Sequence, residues 1–205
     1  MNTYIAKKYN GRLGVLDTLW ARVPYVELAY RWADSFPSPY TTTARLVHHE
    51  DGITVRLSTN EWPLRAENVT CNGRICDDSC LKFFFTPNET DKAYINIEVN
   101  PFGLSHTAIG EGRHNRTLLD IEREGLAIET AIRPREGWAA TVFVPYAFIE
   151  KHFATHTDTF RANFYKCGEL TVREHYSVWN PIALPKPDYH QPSFFGKIIL
   201  SDEQV

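Results

Sequence analysis

The 205-residue sequence lacks several features that would each define a class of protein. No apolar run approaches the ~20 residues of a membrane-spanning helix, so we expect no membrane partner. No basic run occurs, and the net charge of −3 argues against a nucleic-acid partner. Residues 1–8 lack the apolar core of a secretory signal, which predicts either a cytoplasmic chain or an exported chain already trimmed of its signal.

Cysteine is scarce, with four residues, and its spacing does not fit a structural zinc site. Cys71, Cys76 and Cys80 follow one another at intervals of five and four residues, whereas zinc sites favour Cys-x-x-Cys pairs. A Cys71–Cys76 or Cys71–Cys80 disulfide would require export to an oxidising compartment. Cys80 lies in a strand pattern, which predicts a small buried apolar residue.

Common catalytic signatures are also missing. The sequence has no Gly-x-Ser-x-Gly elbow, no phosphate-binding loop and no histidine and glutamate spacing typical of metal ligands. Acidic pairs occur at Asp77 with Asp78 and at Glu122 with Glu124. Glycosidases need two carboxylates ~5–10 Å apart across a cleft. Adjacent strand residues point to opposite faces, so the Asp77–Asp78 pair does not predict such a site.

What the sequence has in abundance is aromatic side chains, at 13% of its residues. Rings pack well on pleated sheets, and several segments alternate with period two, as half-buried strands do. The predicted strands are 26–32, 43–48 and 53–59 as a hairpin, 80–85, 93–99, 126–132, 139–144, 160–165, 175–178 and 197–200. Asp51-Gly52 is expected to supply a positive-φ turn for the hairpin.

One helix is predicted, beginning at Pro145 and covering 146–153, because proline suits a first helical turn. Turn residues separate the strands at irregular intervals, without alternating strands and helices. The length suits one all-β domain, and no linker or internal repeat divides it. The sequence therefore predicts a single antiparallel β-sandwich over 1–205, of jelly-roll type, with one short helix.

The most informative stretch lies near the C-terminus, where rings alternate with amides, histidines and prolines. It reads Arg-Ala-Asn-Phe-Tyr-Lys over 161–166, His-Tyr-Ser-Val-Trp-Asn-Pro over 175–181 and Pro-Asp-Tyr-His-Gln-Pro-Ser-Phe-Phe-Gly over 187–196. Sugars present C–H faces that stack on rings, and hydroxyls that need paired donors and acceptors. A loop rich in both kinds of group is typical of a sugar-binding surface.

These motifs resemble the C-terminal signature of the family 9-like carbohydrate-binding modules, which are β-sandwiches related to the DOMON domains. Asp-Ser-Cys-Leu-Lys-Phe at 78–83 and Tyr-Ile-Asn-Ile-Glu-Val-Asn at 94–100 resemble two further strands of that family, and the resemblance covers roughly 15–200. It implies non-catalytic binding of a mono- or oligosaccharide by a concave sheet face and its bordering loops. No cofactor is implied.

Relatives often hold a structural Ca²⁺ with loop carboxylates and carbonyls. In this chain, Asp77 and Asp78 with Glu89 or Asp91 could supply oxygen ligands. No dense acidic loop accompanies them, and a structural calcium ion is kept as an alternative to a site without a metal.

Candidate sugar ligands lie on three of the predicted strands. Asn96 and Glu98 alternate with apolar residues, which places them on the outward face of their strand. The same outward face is open to a plainer interpretation as a solvated sheet surface. Arg161 and Asn163 form a similar polar face, and Lys82 occupies a position where relatives often carry an acid.

The resemblance also indicates where stacking rings should lie. Two Trp side chains sandwich the terminal sugar in the best understood relatives, and the matching positions here are Ile75 and Tyr189. One platform is therefore missing, although Trp62 could supply a face from another loop. Trp179 is either a further platform or a structural ring that anchors the long loop. His190, beside Tyr189, is a candidate hydrogen-bonding residue.

Three hypotheses follow from the sequence. The first is non-catalytic carbohydrate binding, which should be weak because few rings and exposed hydrogen bonds are available. The second is a sugar-processing enzyme on the same fold that uses Glu98 as an acid or base. The third is a structural or partner-binding sandwich whose sugar site has decayed, as Ile75 suggests.

Overall fold

The protein is described by a computed structural model that covers residues 1–30, 38–88, 90–153 and 155–205. In those ranges the chain forms thirteen strands, one α-helix and three short 3₁₀ helices. The strands are β1 (Thr3–Lys8), β2 (Val26–Glu27), β3 (Thr42–His48), β4 (Gly52–Thr59), β5 (Cys80–Thr86), β6 (Tyr94–Val99), β7 (Ser105–Gly110), β8 (Thr117–Leu118), β9 (Ala127–Arg133), β10 (Gly137–Pro145), β11 (Thr159–Gly168), β12 (His175–Val178) and β13 (Gly196–Gln204). The helix α1 is Tyr146–Phe153, and the 3₁₀ helices are Thr18–Arg22, Ile75–Asp77 and Pro192–Phe194.

The strands form one sheet that curls into two facing layers. The hydrogen-bonded order is β8-β7-β6-β5-β11-β13-β1-β3-β4-β10-β9, with β12 beside β11 and β2 beside β3. We call β5, β6, β7, β8, β11 and β12 the front layer, and β2, β3, β4, β9 and β10 the back layer. Neighbouring strands are antiparallel except at β1, which is parallel to β13 and β3. The predicted antiparallel β-sandwich is confirmed, with β1 as a local exception.

Apolar side chains from both layers fill the space between them. Phe83 and Phe85 enter it from the front layer, and Val55 and Leu57 enter it from the back layer. The Phe83 ring stacks on Phe85 and Phe164, with centroid separations of 4.9 and 5.5 Å. Each fully buried side chain of this size contributes about 1.5–3 kcal/mol through burial, so this core is the main stabilising element.

A second apolar cluster lies on the outer face of the front layer. Residues 179–195, which we call the covering loop, pack there against β5, β6 and β11. The buried members are Ile75, Cys80, Phe84, Tyr94, Tyr165, Cys167, Val178, Ile182, Tyr189 and Phe195. Both faces of β5 and β6 are consequently buried. The plainer interpretation of this face of β6 as a solvated sheet surface is wrong, because alternation shows which residues avoid the inner core but not what packs outside.

The hairpin predicted over 43–59 is confirmed by β3 and β4, but Gly52 has a different role. The N–H of His49 donates to the carbonyl of Gly52 at 2.8 Å, which closes the turn. Gly52 does not have a positive φ. A Cβ there would lie 2.4 Å from the carbonyl oxygen of Val144 and 2.9 Å from the Phe143 ring. Glycine is therefore needed for the close approach of β10, not for a left-handed backbone.

The predicted helix over 146–153 is confirmed as α1, which begins one residue after Pro145, the last residue of β10. No helix in the described ranges is long and apolar enough to cross a membrane. The strand predicted over 26–32 is shorter, since β2 covers only Val26–Glu27, and Trp32 lies outside the described residues. Strands β1, β7 and β8 were not predicted.

Candidate functional site

The front layer carries a row of polar side chains on the face beneath the covering loop. The register places Lys82 opposite Glu98, and Glu98 opposite His106. Directly opposed residues share a face, so these side chains line up across β5, β6 and β7. The Lys82 ammonium lies 2.9 Å from the Glu98 carboxylate, and only 5% and 7% of these side chains are exposed. We call Lys82, Asn96, Glu98 and His106 the polar row.

Electrostatics keeps the Lys82–Glu98 pair charged. Burial opposes ionisation of Glu98, but the charge and hydrogen bond of Lys82 outweigh it and lower the pKa of that carboxyl. Burial also opposes the charge on Lys82, yet its neighbours Cys167 and Glu98, of which Glu98 is in direct contact, raise its pKa. An ionised Glu98 with a lowered pKa can accept hydrogen bonds but is a poor proton donor at neutral pH.

Asn96 extends the polar row along β6. Its Nδ2 donates to Oε1 of Glu98 at 3.2 Å, and its Oδ1 accepts from Nε of Arg116 at 3.0 Å. The Arg116 guanidinium lies 4.2 Å from the centroid of the Tyr94 ring and donates to the Tyr94 carbonyl at 3.0 Å. Sequence reasoning missed Arg116, because it lies between β7 and β8 in a segment without periodicity.

The covering loop brings two predicted residues to the polar row. The Tyr189 ring centroid lies 5.1 Å from the Lys82 ammonium, within cation–π range, and the Tyr189 hydroxyl donates to the carbonyl of Lys166 at 2.9 Å. Nδ1 of His190 lies 2.7 Å from the Tyr94 hydroxyl. Burial lowers the pKa of His190 to about 4, so its imidazole is neutral. Tyr189 is only 6% exposed, and its ring is not an open platform in this structure.

Trp179 lies away from the polar row. Its ring packs in the core between the layers, 5.3 Å from the ring of Phe164, and the residue is 5% exposed. A Cβ on Gly196 would lie 2.5 Å from the Trp179 ring. The start of β13, which follows the covering loop, therefore packs tightly against this ring. Of the two interpretations of Trp179, this position favours the structural ring.

Asn163 and Arg161 share the outer face of the front layer but do not join the polar row. Nδ2 of Asn163 donates to the carbonyls of Asn180 at 2.9 Å and of Phe194 at 3.4 Å, which holds the covering loop in place. Arg161 lies opposite Thr86 at the far end of β5. A ligand role for either residue stays a prediction.

Trp62 lies in a separate trough with a volume of about 550 Å³. The ring is 39% exposed, which makes it the most open of the predicted stacking rings. The trough is lined mainly by apolar residues, which are Pro63, Leu64, Ala66, Pro101, Phe102, Ile132, Leu170 and Val172. Arg65 and Glu67 add a charged pair, 2.8 Å apart. The trough shares no lining residue with the polar row.

The sequence resemblance matches Ile75 to the position of a stacking ring. In the structure Ile75 is 1% exposed. It belongs to the same buried cluster as Tyr189. Both positions that carry the stacking rings in the relatives are therefore buried in this chain.

The carboxylates considered for calcium that the structure describes, Asp77, Asp78 and Asp91, are engaged by protein groups. Asp78 is fully buried, and its carboxylate accepts hydrogen bonds from two main-chain N–H groups and from Asn100 at 3.0–3.1 Å. Asp77 is bound by the Arg74 guanidinium at 2.8 Å. Glu89 lies outside the described residues. A calcium ion at this place stays a prediction.

One further cluster in the described part of the chain has metal-like spacing. Ligand atoms of Cys76, Asp77 and Glu169 lie within 4.8 Å of one another. Arg74 lies 2.8 Å from Asp77 and 3.9 Å from Glu169, so one guanidinium already pairs with both carboxylates. Cys76, like the other three cysteines, is a free thiol.

Comparison with known proteins identifies the family. A model of carbohydrate-binding family 9 matches residues 18–200. The chain belongs to this family. The predicted resemblance is thereby confirmed. The match also supports the general prediction of carbohydrate binding. A search of curated proteins finds no match.

Solved structures share the fold of this family 9 chain. A candidate carbohydrate-binding protein from Bacteroides uniformis is 26% identical, with a TM-score of 0.80, over 97% of this chain and 99% of that one. A family 9 module from Caldicellulosiruptor kristjanssonii in complex with glucose is 13% identical, with a TM-score of 0.72, over 100% and 97% of the two chains. The same organism's module in complex with cellotriose is 12% identical, with a TM-score of 0.70, over 100% and 95%. At such identities the last two show the fold alone.

Proposed function

We propose that this chain binds a mono- or oligosaccharide, without catalysis, at the polar row beneath Tyr189 and His190. The observation that carries the proposal is the Lys82–Glu98 pair with Asn96 beside it, next to an aromatic ring. Together they offer a charged donor, a charged acceptor and an amide on one face. Sugar hydroxyls need such paired groups, and hydrogen bonds to charged groups are the stronger ones.

Two further findings support this proposal. The family model covers the strands that carry the polar row, and modules of the same fold form complexes with glucose and cellotriose. The lowered pKa of Glu98 favours an acceptor of hydroxyl hydrogen bonds over a catalytic acid, so the enzyme hypothesis gains no support from the geometry.

Burial of the polar row determines how a sugar would reach it. Tyr189 lies against Lys82, and both are almost fully buried. A sugar makes full contact with Lys82 and Glu98 only if the Tyr189 side chain moves aside, which then frees its ring for stacking. This opening costs free energy that is subtracted from the binding energy, so weak binding is expected.

The test removes both charges of the pair at once. In the double variant Lys82→Met with Glu98→Gln, no unpaired buried charge remains, so the fold should persist. Sugar affinity is expected to fall at least about ten-fold, because each hydrogen bond to a charged group contributes about 1.5–3 kcal/mol. Calorimetry against glucose, xylose and their oligomers measures the affinity, and circular dichroism checks folding.

Trp62→Ala is the matched control, since it removes an open ring in the separate trough and should leave affinity unchanged. If the double variant binds like the wild type while Trp62→Ala abolishes binding, the site lies in the trough and the polar row is wrong. If the folded wild type binds no sugar in the panel, the site has decayed, as the third hypothesis holds.

A further inference from the structure

A second polar groove lies on the outer face of the back layer, on the opposite side of the sandwich from the polar row. Its volume is about 400 Å³. Small side chains form its floor, and these are Thr43, Ser58, Ala131 and Ala139. The hydroxyls of Thr43 and Ser58 lie 2.9 Å apart. Arg56 and Arg133 also line the groove, together with exposed Leu16.

The arginines in and beside the groove form no ion pair in the described part of the chain. Arg45 lies directly opposite Arg56 in the β3–β4 register, and like charges in this arrangement destabilise a sheet. Within the described ranges, no carboxylate lies within 4.0 Å of the guanidinium of Arg45, Arg56 or Arg133. Burial lowers the pKa of Arg56, and the neighbouring charges of Arg45 and Arg133 lower it further.

Part of the Arg56 guanidinium is not engaged by protein acceptors among the described residues. Its Nε donates to the carbonyl of Val15 at 3.3 Å, and among the described residues its two terminal nitrogens have no protein acceptor. Glu136 is the carboxylate among the lining residues, and Glu129 on β9 accepts a hydrogen bond from the Val15 N–H at 3.0 Å. The lining itself therefore carries two arginines, Arg56 and Arg133, against one acid, Glu136. Beside the groove, the charge of Arg45 is accompanied by Glu129 and by Glu27, which lies opposite Thr43.

We propose that this groove is a second saccharide site, which takes an acidic sugar of the uronate class. The sugar carboxylate would bind the Arg133 guanidinium, with the free terminal nitrogens of Arg56 as further donors, because a planar guanidinium matches a carboxylate in two parallel hydrogen bonds. The hydroxyls of Thr43 and Ser58 on the floor suit the hydroxyls of the ring. The anion preference rests on the arginines alone, and the saccharide class rests on the family.

Arg133→Gln tests the proposal cleanly, because Arg133 is exposed and its side chain makes no hydrogen bond within the described part of the structure. Arg135→Gln is the matched control: it removes the same charge from an exposed residue in the same turn that does not line the groove. The probes are disaccharides of galacturonate and glucuronate, their neutral methyl esters, and inorganic sulfate. Calorimetry at low and at physiological ionic strength measures each affinity.

The uronate disaccharide is expected to bind more tightly than its methyl ester, and more tightly at low salt. Arg133→Gln should weaken uronate binding at least about ten-fold, while Arg135→Gln leaves it unchanged. Neutral sugars at the polar row should be unaffected by Arg133→Gln, which keeps the two sites distinguishable.

Several results would overturn this site. Equal affinity for the uronate and its ester would show that the arginines do not recognise the carboxylate. Loss of uronate binding in the Lys82→Met, Glu98→Gln variant, but not in Arg133→Gln, would move the ligand to the polar row. Sulfate bound as tightly as the disaccharide would indicate a simple anion site without a saccharide, and no uronate binding at all would reject the site.

Discussion

Replacing Lys166 with Met is expected to lower the free energy of unfolding by about 3–5 kcal/mol, because the change leaves a buried carboxylate without its cation. The Lys166 ammonium lies 2.8 Å from the Glu61 carboxylate, and both side chains are fully buried. The same ammonium donates to the carbonyl of Cys167 at 2.7 Å and lies 2.8 Å from Nε2 of His175. All three of its donors are therefore satisfied inside the protein.

The matched control removes both charges together. Lys166→Met combined with Glu61→Gln leaves no unpaired buried charge, and we expect it to recover most of the lost stability. Glutamine at position 61 can still accept the hydrogen bond that the Ser79 hydroxyl donates to Glu61 at 2.8 Å. Urea unfolding of the wild type, the single variant and the double variant gives the three free energies. A single variant as stable as the wild type would contradict this account of the network.

The fold could be predicted from the sequence wherever a local pattern of apolar and polar residues determines the structure. The β3–β4 hairpin and α1 follow from periodicity and a proline, both of which act within a few residues. Strands β7 and β8 were missed because their short, polar segments carry little alternation. Strand β1 is held by parallel pairing with β13, a partner at the opposite end of the chain. Such pairing leaves no local signal.

The site was predicted only in part, because its character depends on what packs over it. Alternation placed Asn96 and Glu98 on one face of β6, and the register then brought Lys82 to that face. The sequence assigned Tyr189 as a stacking platform, whereas in the structure Tyr189 is buried over the polar row. The buried Lys166 could likewise be predicted only in part. Its alternation with core residues places the lysine side chain on the buried face of its strand, but its partner Glu61 is remote in sequence and could not be identified.

The buried network also predicts sensitivity to acid. Lowering the pH from about 7 to about 5 is expected to reduce the free energy of unfolding by about 2 kcal/mol through His175 alone. Burial and the adjacent charge of Lys166 lower the pKa of His175 to about 4. Nδ1 of His175 lies 2.6 Å from the carbonyl oxygen of Arg173 and donates to it, so Nε2 is free to accept from Lys166. This arrangement requires a neutral imidazole.

The direction follows from proton uptake. An unfolded histidine has a pKa of about 6.5, so the unfolded chain binds a proton in this window and the folded chain does not. The stabilising contribution is complete above about 6.5 and is lost as the pH falls toward 4. His190, whose pKa burial also lowers to about 4, acts in the same direction. Glu98, with its lowered pKa, loses its contribution only at more acidic pH.

Unfolding free energies measured in urea at a series of pH values between about 7 and about 5 test this dependence. His175→Gln replaces the imidazole by a side chain that stays neutral. The free energy of unfolding should then depend less on pH, by the contribution of His175, whatever the effect of the substitution on stability at pH 7. His114→Gln is the control, because His114 is exposed and its removal should leave the curve unchanged. A wild-type curve that is already flat in this window would mean that the folded protein admits a charged His175 beside Lys166, against the hydrogen-bond pattern of the network.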